Sequence, residues 1–541
     1  MTGEKYMGGI SRRRFLVTTA AASTAVSGAA TAVASAAEAG EAAAASGPFD
    51  VTSADQQYTD LVRGFNQRWV AKPDYVRMVS TPGQVVTAVQ AAVKAGKRLS
   101  VRSGGHCYEP WVGDGVNVVV DVSEMNQVYF DSARQVFVVE AGATISEIYK
   151  SLYKKWGVTL PGGTCPTVGA GGHVAGGGYG ALSRRHGLIV DHLYGVEVVV
   201  VDASGTARLV TATREPSDPN RDLWWAHTGG GGGNFGVVTR YLFRSPNAAG
   251  APQSLLPKPP TTLLVNSVSW SWADLNEQSF GRILKNYGTW CENNASASSP
   301  YAGLFSQLKP APKAAGSFSL TTEIDATLPG ADQLLDDFLA AVNNGTGVSF
   351  RVDERRTVPW LHATEWPGFT GGGDPTNRFK GKSAYMKKTF TDAHVAAFYK
   401  HLTRPDYPYP GALVLISSYG GKVNTVSPTA TAVSQRSSVM KLMYVNFWRD
   451  QSQDSWHEAW IREFYRDVYA DTGGVPVSGA VTDGCFVNYA DGDLSNPAWN
   501  TSGVPWHDLY YGANFPRLQQ VKAKWDPRNV FRHAQSVPLP A

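Results

Sequence analysis

From Asp74 onward the chain alternates short β-branched runs with amphipathic stretches. "YVRMVS" (75–80) predicts a strand. "TPGQVVTAVQAAVKAGK" predicts a helix, with Thr81 as N-cap, Pro82 at the first helical position and Gly96 as its stop. "RLSVRS" (98–103) is a second strand that runs into "GGHCYE". "NVVVDVS", "VFVVEAG" and "YGVEVVVVDAS" read as further strands, and "TISEIYKSLYKKWG" (144–157) as an amphipathic helix between the last two. A β-rich run closes this part near Phe243, and "SPNAAGAPQSLLPKPP" (245–260) reads as a connector. The pattern then changes. "SVSWSW", "SFSLTTEI" and "KLMYVNFW" alternate as antiparallel strands do, while "ADQLLDDFLAAVNN" and "SWHEAWIREFYRDVYADT" read as helices covering one sheet face. The last segment holds a short helix and a tail. The class is α+β, with domains at 72–245 and 246–495, and a C-terminal segment at 496–541.

Length fits this division, since 541 residues exceed one compact core. Hydrophobic residues make up 43% and charged residues 17%, a globular balance. A net charge of +4 without a basic cluster argues against a nucleic-acid partner. Beyond the N-terminus no apolar run is long enough to span a membrane. The N-terminus differs. Arg12 and Arg13, then Phe15 and Leu16, precede an alanine-rich run with a small-residue site at Ala34–Ala36. This reads as a twin-arginine export signal over 1–36, followed by a lead-in over 37–71, and it predicts a secreted protein. None of the four cysteines forms a CxxC pair, so a zinc site is not expected. A bridge between Cys291 and Cys485 stays open.

Candidate chemistry begins with glycine. Nine of the 19 residues from Gly162 to Gly180, "GGTCPTVGAGGHVAGGGYG", are glycine, which predicts a long loop. Gly229–Gly233 is a second cluster. Backbone without side chains suits a flat or phosphorylated ligand. No Lys-Ser/Thr pair follows either loop, so a P-loop is disfavoured, and GxGxxG is matched only loosely. The other reading is a set of tight turns.

The chain resembles the berberine bridge enzyme-like flavoproteins of the vanillyl-alcohol oxidase group. The motifs are "VRSGGHCYE" at Val101, the loop at Gly162, "GGGGGNFGVVT" at Gly229 and "NVFRHAQSV" at Asn529, and the likeness runs from about Asp74 to Val537. Bacterial members with export signals include oligosaccharide oxidases and aclacinomycin oxidoreductase-like tailoring oxidases. The resemblance implies a vanillyl-alcohol oxidase-type FAD-binding domain over 72–245, a substrate domain over 246–495, and a C-terminal segment that returns to the FAD domain. It implies FAD held by two covalent bonds, His106 to the 8α-methyl carbon and Cys165 to C6. Arg102, Ser103, Gly104, Gly105, Gly169, Gly172, Gly176, Gly177, Gly180, Val237 and Asn529 fall on cofactor-binding motifs. His173 matches a histidine that bonds near flavin N1 and C2=O. Val168 matches a gate for dioxygen, where valine goes with oxidases and leucine with dehydrogenases.

"CFVNYADGDL" is similar to the family's strand carrying a catalytic tyrosine, which implies Tyr489 as the base. Tyr179 and Tyr108 match tyrosines near the substrate face. Alkaloid-type relatives carry a glutamate and plant alcohol dehydrogenases a glutamine on the strand matching "KLMYVNFW". Here Met443 is nearest, with Tyr444 beside it as a further candidate. The missing carboxylate favours alcohol oxidation over carbon–carbon bridge formation. The expected function is a secreted FAD-dependent oxidase acting on an alcohol or hemiacetal of a sugar or glycosylated natural product. Hydride passes to flavin N5, and dioxygen becomes hydrogen peroxide. The alternatives are a dehydrogenase with another acceptor, against which Val168 speaks, and a non-catalytic carbohydrate-binding protein on the same fold. The expected partners are the small-molecule substrate and dioxygen, with no nucleic acid, membrane or metal.

Overall fold

The strand and helix signals near Asp74 build a parallel unit. In the computed structural model, which describes residues 47–370 and 374–541, the first strands are β1 (Phe49–Val51), β2 (Tyr75–Met78), β3 (Leu99–Arg102) and β4 (Val118–Asp121). They pair in the order β1-β2-β4-β3, with β4 parallel to both β2 and β3. The crossover from β2 to β3 is the helix Pro82–Lys94. Thr81 Oγ1 accepts from the Gln84 N–H at 3.3 Å, and Gly96, at φ +63°, turns the chain out. Every residue of β4 is buried, as a parallel strand covered on both faces requires. The predicted export signal, 1–36, lies outside the described residues.

The second sheet is antiparallel. Its strands are β5 (Val128–Asp131), β6 (Val136–Glu140), β7 (Leu193–Val201), β8 (Ala207–Thr213) and β9 (Val237–Phe243), in the order β5-β6-β9-β7-β8. The helix Ile145–Trp156 leaves β6 through a complete capping box, Thr144 with Glu147, and ends at Gly157, φ +67°. The predicted glycine loop is not all loop, because Ala170–Ala175 form a short helix. Gly171 inside it does not act as a hinge. A Cβ there would lie 3.0 Å from Ser103 Cβ and 3.1 Å from the Ala141 carbonyl oxygen, so a side chain would have to displace close-packed neighbours.

The third sheet comprises β10 (Thr262–Ser271), β11 (Leu304–Lys309), β12 (Ser317–Asp325), β13 (Arg351–Pro359), β14 (Arg378–Met386), β15 (Ala412–Ser418) and β16 (Met440–Trp448). Their order is β13-β10-β12-β11-β15-β16-β14, antiparallel throughout. The helices Glu277–Asn293, Ala331–Asn343, Asp392–Thr403 and Asp454–Val468 pack on one face. The C-terminal helix Phe515–Trp525 comes back to the helix Arg221–Ala226, where Lys524 and Trp525 both bond Asp222. Residues 485–491, expected as a strand, form a turn in which the Tyr489 N–H donates to the Phe486 carbonyl at 2.9 Å. All four cysteines are free thiols. Cys485 Sγ lies 3.4 Å from the Tyr465 hydroxyl, and burial pushes the Cys291 and Cys485 thiols up to about 12. Among the described residues no helix is long and apolar enough to cross a membrane, and no cluster has the make-up of a metal site.

One carboxyl makes a test of burial. Glu323 on β12 is buried and pushed up to about 8 by desolvation. In the folded chain it keeps its proton well above 4.5, where the unfolded chain loses it. Stability is therefore lost as pH rises from about 4.5 to about 8. Glu323→Gln removes this dependence. Melting curves of variant and wild type should coincide near pH 4.5 and separate toward pH 8, with the variant higher. Parallel curves across that window would show the carboxyl to be solvated.

Candidate active site

The "RSGGHC" loop and the Gly162–Gly180 loop meet backbone to backbone. A Cβ on Gly104 would lie 2.3 Å from the Gly169 amide nitrogen, and Ser103 Oγ bonds the Ala141 carbonyl at 2.7 Å. This approach seats "RSGGHC" beside Cys165–Gly172. Both loops open on a cavity of about 390 Å³, walled on the far side by the third sheet. Arg102, Ser103, Gly104, Gly105, His106, Tyr108 and Cys165 line it, as do Val168, Gly169, Gly172, His173, Tyr179, Gly180 and Tyr489.

His106 and Cys165 share a neighbour. His106 Nε2 lies 3.0 Å from Thr167 Oγ1, and Cys165 Sγ lies 3.7 Å from the same oxygen. The His106 ring stacks on Phe65 at 4.3 Å. Burial pushes this imidazole down to about 4, so at neutral pH it is uncharged and one of its two ring nitrogens carries a lone pair. His173 Nε2 accepts from the Gly163 N–H at 3.0 Å, which leaves Nδ1 as the nitrogen that carries the proton. Burial, helped by Lys441, pushes His173 down to about 3.

Strand β16 decides what the far wall presents. Its odd residues Lys441, Met443, Val445 and Phe447 face the cavity, and its even residues face the helices. Tyr444 is therefore not in the site. Its hydroxyl lies 2.9 Å from that of Tyr469, among Phe464 and Tyr465. Met443 is in the site and accepts from the Tyr108 hydroxyl at 3.1 Å. Tyr108 stacks on Tyr489 with centroids 5.3 Å apart and planes 12° apart. Gly381 makes room for Tyr108, since a Cβ there would lie 2.6 Å from its ring. Lys441 Nζ sits 4.3 Å from the Tyr489 ring centroid, 4.8 Å from that of Tyr179 and 3.7 Å from that of Phe486. Burial drives the Tyr489 and Tyr108 phenols up and the Lys441 ammonium well below the usual lysine range. The Tyr179 hydroxyl is committed to the Ser418 carbonyl.

Four other expected residues stand behind the wall. A Cβ on Gly176 would lie 1.9 Å from Asn488 Oδ1, and one on Gly177, at φ +86°, would lie 2.2 Å from Val433 Cγ2. Both are packing glycines. Val237 points away from the cavity, and its neighbour Val238 lines it. Asn529 holds a left-handed turn, φ +50°, that delivers Phe531, Arg532 and His533 to the wall. Sequence reasoning missed Lys441, Thr167, Asn488 and the stacked pair Trp111–His533, centroids 4.4 Å apart. Thr167 was within reach, being two residues from Cys165.

A family model described as an FAD binding domain matches residues 73–210, and one described as berberine and berberine like matches residues 485–538. An aclacinomycin-N/aclacinomycin-A oxidase of Streptomyces galilaeus is 54% identical over 493 residues, 91% of this chain and 90% of that protein. The chain belongs to the berberine bridge enzyme-like FAD-linked oxidases. Within this family, a solved aclacinomycin oxidoreductase is 53% identical, with a TM-score of 0.88 over 92% of this chain and all of that one. A glycopeptide hexose oxidase, solved with teicoplanin, is 47% identical, with a TM-score of 0.87 over 91% of this chain and 99% of that one. The protein is thus an FAD-linked oxidoreductase of vanillyl-alcohol oxidase-type fold. The cavity fits that cofactor. A Cβ on Gly172 would meet nothing within 4 Å, and one on Gly232 only the Gly172 Cα at 3.8 Å, so bare backbone faces open space as a flat dinucleotide requires.

Proposed function

We propose that the protein is an exported oxidase whose FAD is bonded to both His106 and Cys165. It oxidises an alcohol or hemiacetal carbon of a sugar or glycosylated natural product, with dioxygen reduced to hydrogen peroxide. One observation carries the reading. A neutral imidazole and a thiol, bridged by Thr167, share a cavity with the Tyr108–Tyr489 pair. The substrate class is carried over from relatives named for aclacinomycin and for a glycopeptide hexose. Export rests on Arg12, Arg13 and the run after them.

Bound FAD supplies the acceptor for the substrate's hydride and returns the electron pair to dioxygen. The chain supplies the rest. Tyr489, as its phenolate, would take the proton of the reacting hydroxyl and become the phenol, the form that its burial favours, with the Lys441 amine beside its ring. Tyr108, fixed by Met443 and Gly381, keeps the Tyr489 ring at one angle. With FAD bound, the Nδ1–H of His173, left free to donate by the Gly163 bond to Nε2, would supply a hydrogen bond that stabilises negative charge on the reduced ring. Phe447, Val445 and Phe305 give the sheet wall apolar surface for the substrate.

The test is peroxide release from the purified yellow protein, with oligosaccharides presented beside glycosylated polyketides. Peroxide with either class supports the oxidase and selects the substrate. Silence from both, with flavin in place, would sink it. Val168 lines the same cavity and acts as the oxygen gate. Val168→Leu adds one methylene to a packed wall. It should slow reoxidation by dioxygen more than reduction by substrate in stopped-flow traces. Equal slowing of both would remove the gate.

A further inference from the structure

The two stacked tyrosines stand on different loops, and the loops are tied to each other outside the cavity. Glu109 directly follows Tyr108, and its Oε1 accepts from the Gly492 N–H at 3.0 Å, three residues after Tyr489. The same oxygen lies 3.4 Å from Lys380 Nζ. Lys380 also reaches Asp491 Oδ1 at 3.1 Å and Asp493 Oδ2 at 3.2 Å. Lys382 contacts both aspartates at 2.7 Å, and Arg462 chelates Asp493. Three cations thus meet three carboxylates. Lys380, Lys382, Asp491 and Asp493 are all buried.

Lys380 lies on β14, the edge strand of the third sheet, between Phe379 and Gly381. Those two neighbours hold the Tyr108 ring from the cavity side. Asn66 completes the dock. Its Nδ2 donates to the Tyr108 and Phe379 carbonyls, and its Oδ1 accepts from the Phe379 N–H. One strand therefore fixes the Tyr108 loop through one face and its edge, and the Tyr489 loop through the other. A buried ion cluster is weak evidence for stability, because desolvation offsets much of its attraction. Specifying a geometry is the better-attested use of such a cluster.

We propose that Glu109, seated on Lys380, is a positioning clamp that sets the placement of Tyr489 against Tyr108 for proton removal. Neither residue touches the cavity contents. The clamp acts through the tyrosines, and it rests on the reading of Tyr489 as base. A base displaced by about 1 Å can cost on the order of 100-fold in rate.

Glu109→Ala, Glu109→Gln and Lys380→Met would be compared as holoenzymes. Flavin reduction would be followed at saturating substrate, with flavin content and melting temperature measured beside it. Glu109→Ala should lower the limiting rate about 10- to 100-fold, with KM and flavin content near wild type. Glu109→Gln keeps the acceptor for the Gly492 N–H and should recover most of the rate. Lys380→Met strips the cluster of a buried cation and is the variant exposed to misfolding. The two Glu109 variants decide the matter without it. A wild-type limiting rate in Glu109→Ala would overturn the clamp, and so would equal losses in Ala and Gln. A double variant with Tyr489→Phe separates the two readings. The Glu109→Ala loss should vanish in that background. Persistence of the full loss would mean that the clamp does not act through Tyr489. Full activity of Tyr489→Phe alone would instead discard the base, and the clamp with it.

Discussion

Tyr489→Phe should lower the rate of flavin reduction by roughly 10²- to 10⁴-fold, the range over which a positioned general base contributes. The ring, its stack on Tyr108 at 5.3 Å and its place under Lys441 all persist in the variant. Only the hydroxyl is lost. The protein should stay yellow and melt as the wild type does. Substrate binding, read as the dissociation constant from the reductive half-reaction, should change far less than the limiting rate. The pH profile adds a second criterion. Burial holds the phenol high and the Lys441 amine low, so both charged forms are disfavoured until substrate arrives. A loss of rate in Tyr489→Phe that depends on pH marks proton transfer. A loss confined to affinity would make Tyr489 a binding residue.

The second large effect concerns the tethers. In the wild type, flavin should remain with the polypeptide after acid precipitation, and a proteolytic digest should contain a flavin bridging the peptides of His106 and Cys165. Cys165→Ala should retain flavin through His106 alone, at a lower reduction potential. A fall of ~60 mV in a two-electron couple corresponds to ~2.8 kcal/mol, which caps the slowing of hydride transfer at about a hundredfold. His106→Ala with Cys165→Ala should release all flavin on precipitation. Free flavin from the wild type would remove both bonds from the account.

What could be read in advance depended on whether a residue's direction was written locally. His106, Cys165, Val168 and His173 sit on glycine loops, where the packing of backbone on backbone leaves their side chains one way to go, and all four line the cavity. Tyr444 and Val237 sit on β16 and β9, strands buried on both faces. There the alternation of apolar and polar residues that marks an outward face disappears. In "KLMYVNFW" each set of positions carries one polar residue, Lys441 among the odd and Asn446 among the even, and it is Lys441 that enters the cavity. The turn at Tyr489 was hidden for a related reason. It is held from a distance by Asp491 bonds to Lys380 and Lys382, more than a hundred residues earlier. The helix Ala170–Ala175 defied glycine content because Ser103 and Ala141 press on it.

The cavity's two sides differ in what they leave open to change. The cofactor side is glycine backbone in mutual contact, where even a methyl group collides at Gly104 or Gly169. The sheet side is built of side chains at alternate positions, among them Phe305, Gln307, Leu415, Ser417, Met443 and Val445. Their strand neighbours face the helices and carry the packing. A lineage acquiring new substrates on this scaffold can therefore exchange the cavity-facing residues of β11 and β15, with Val445 and Phe447 of β16, while inheriting the redox half and its Lys441 and Met443 supports unaltered. The same parity rule gives a ready-made mutagenesis library, in which diversity and foldability are drawn from different residues of one strand.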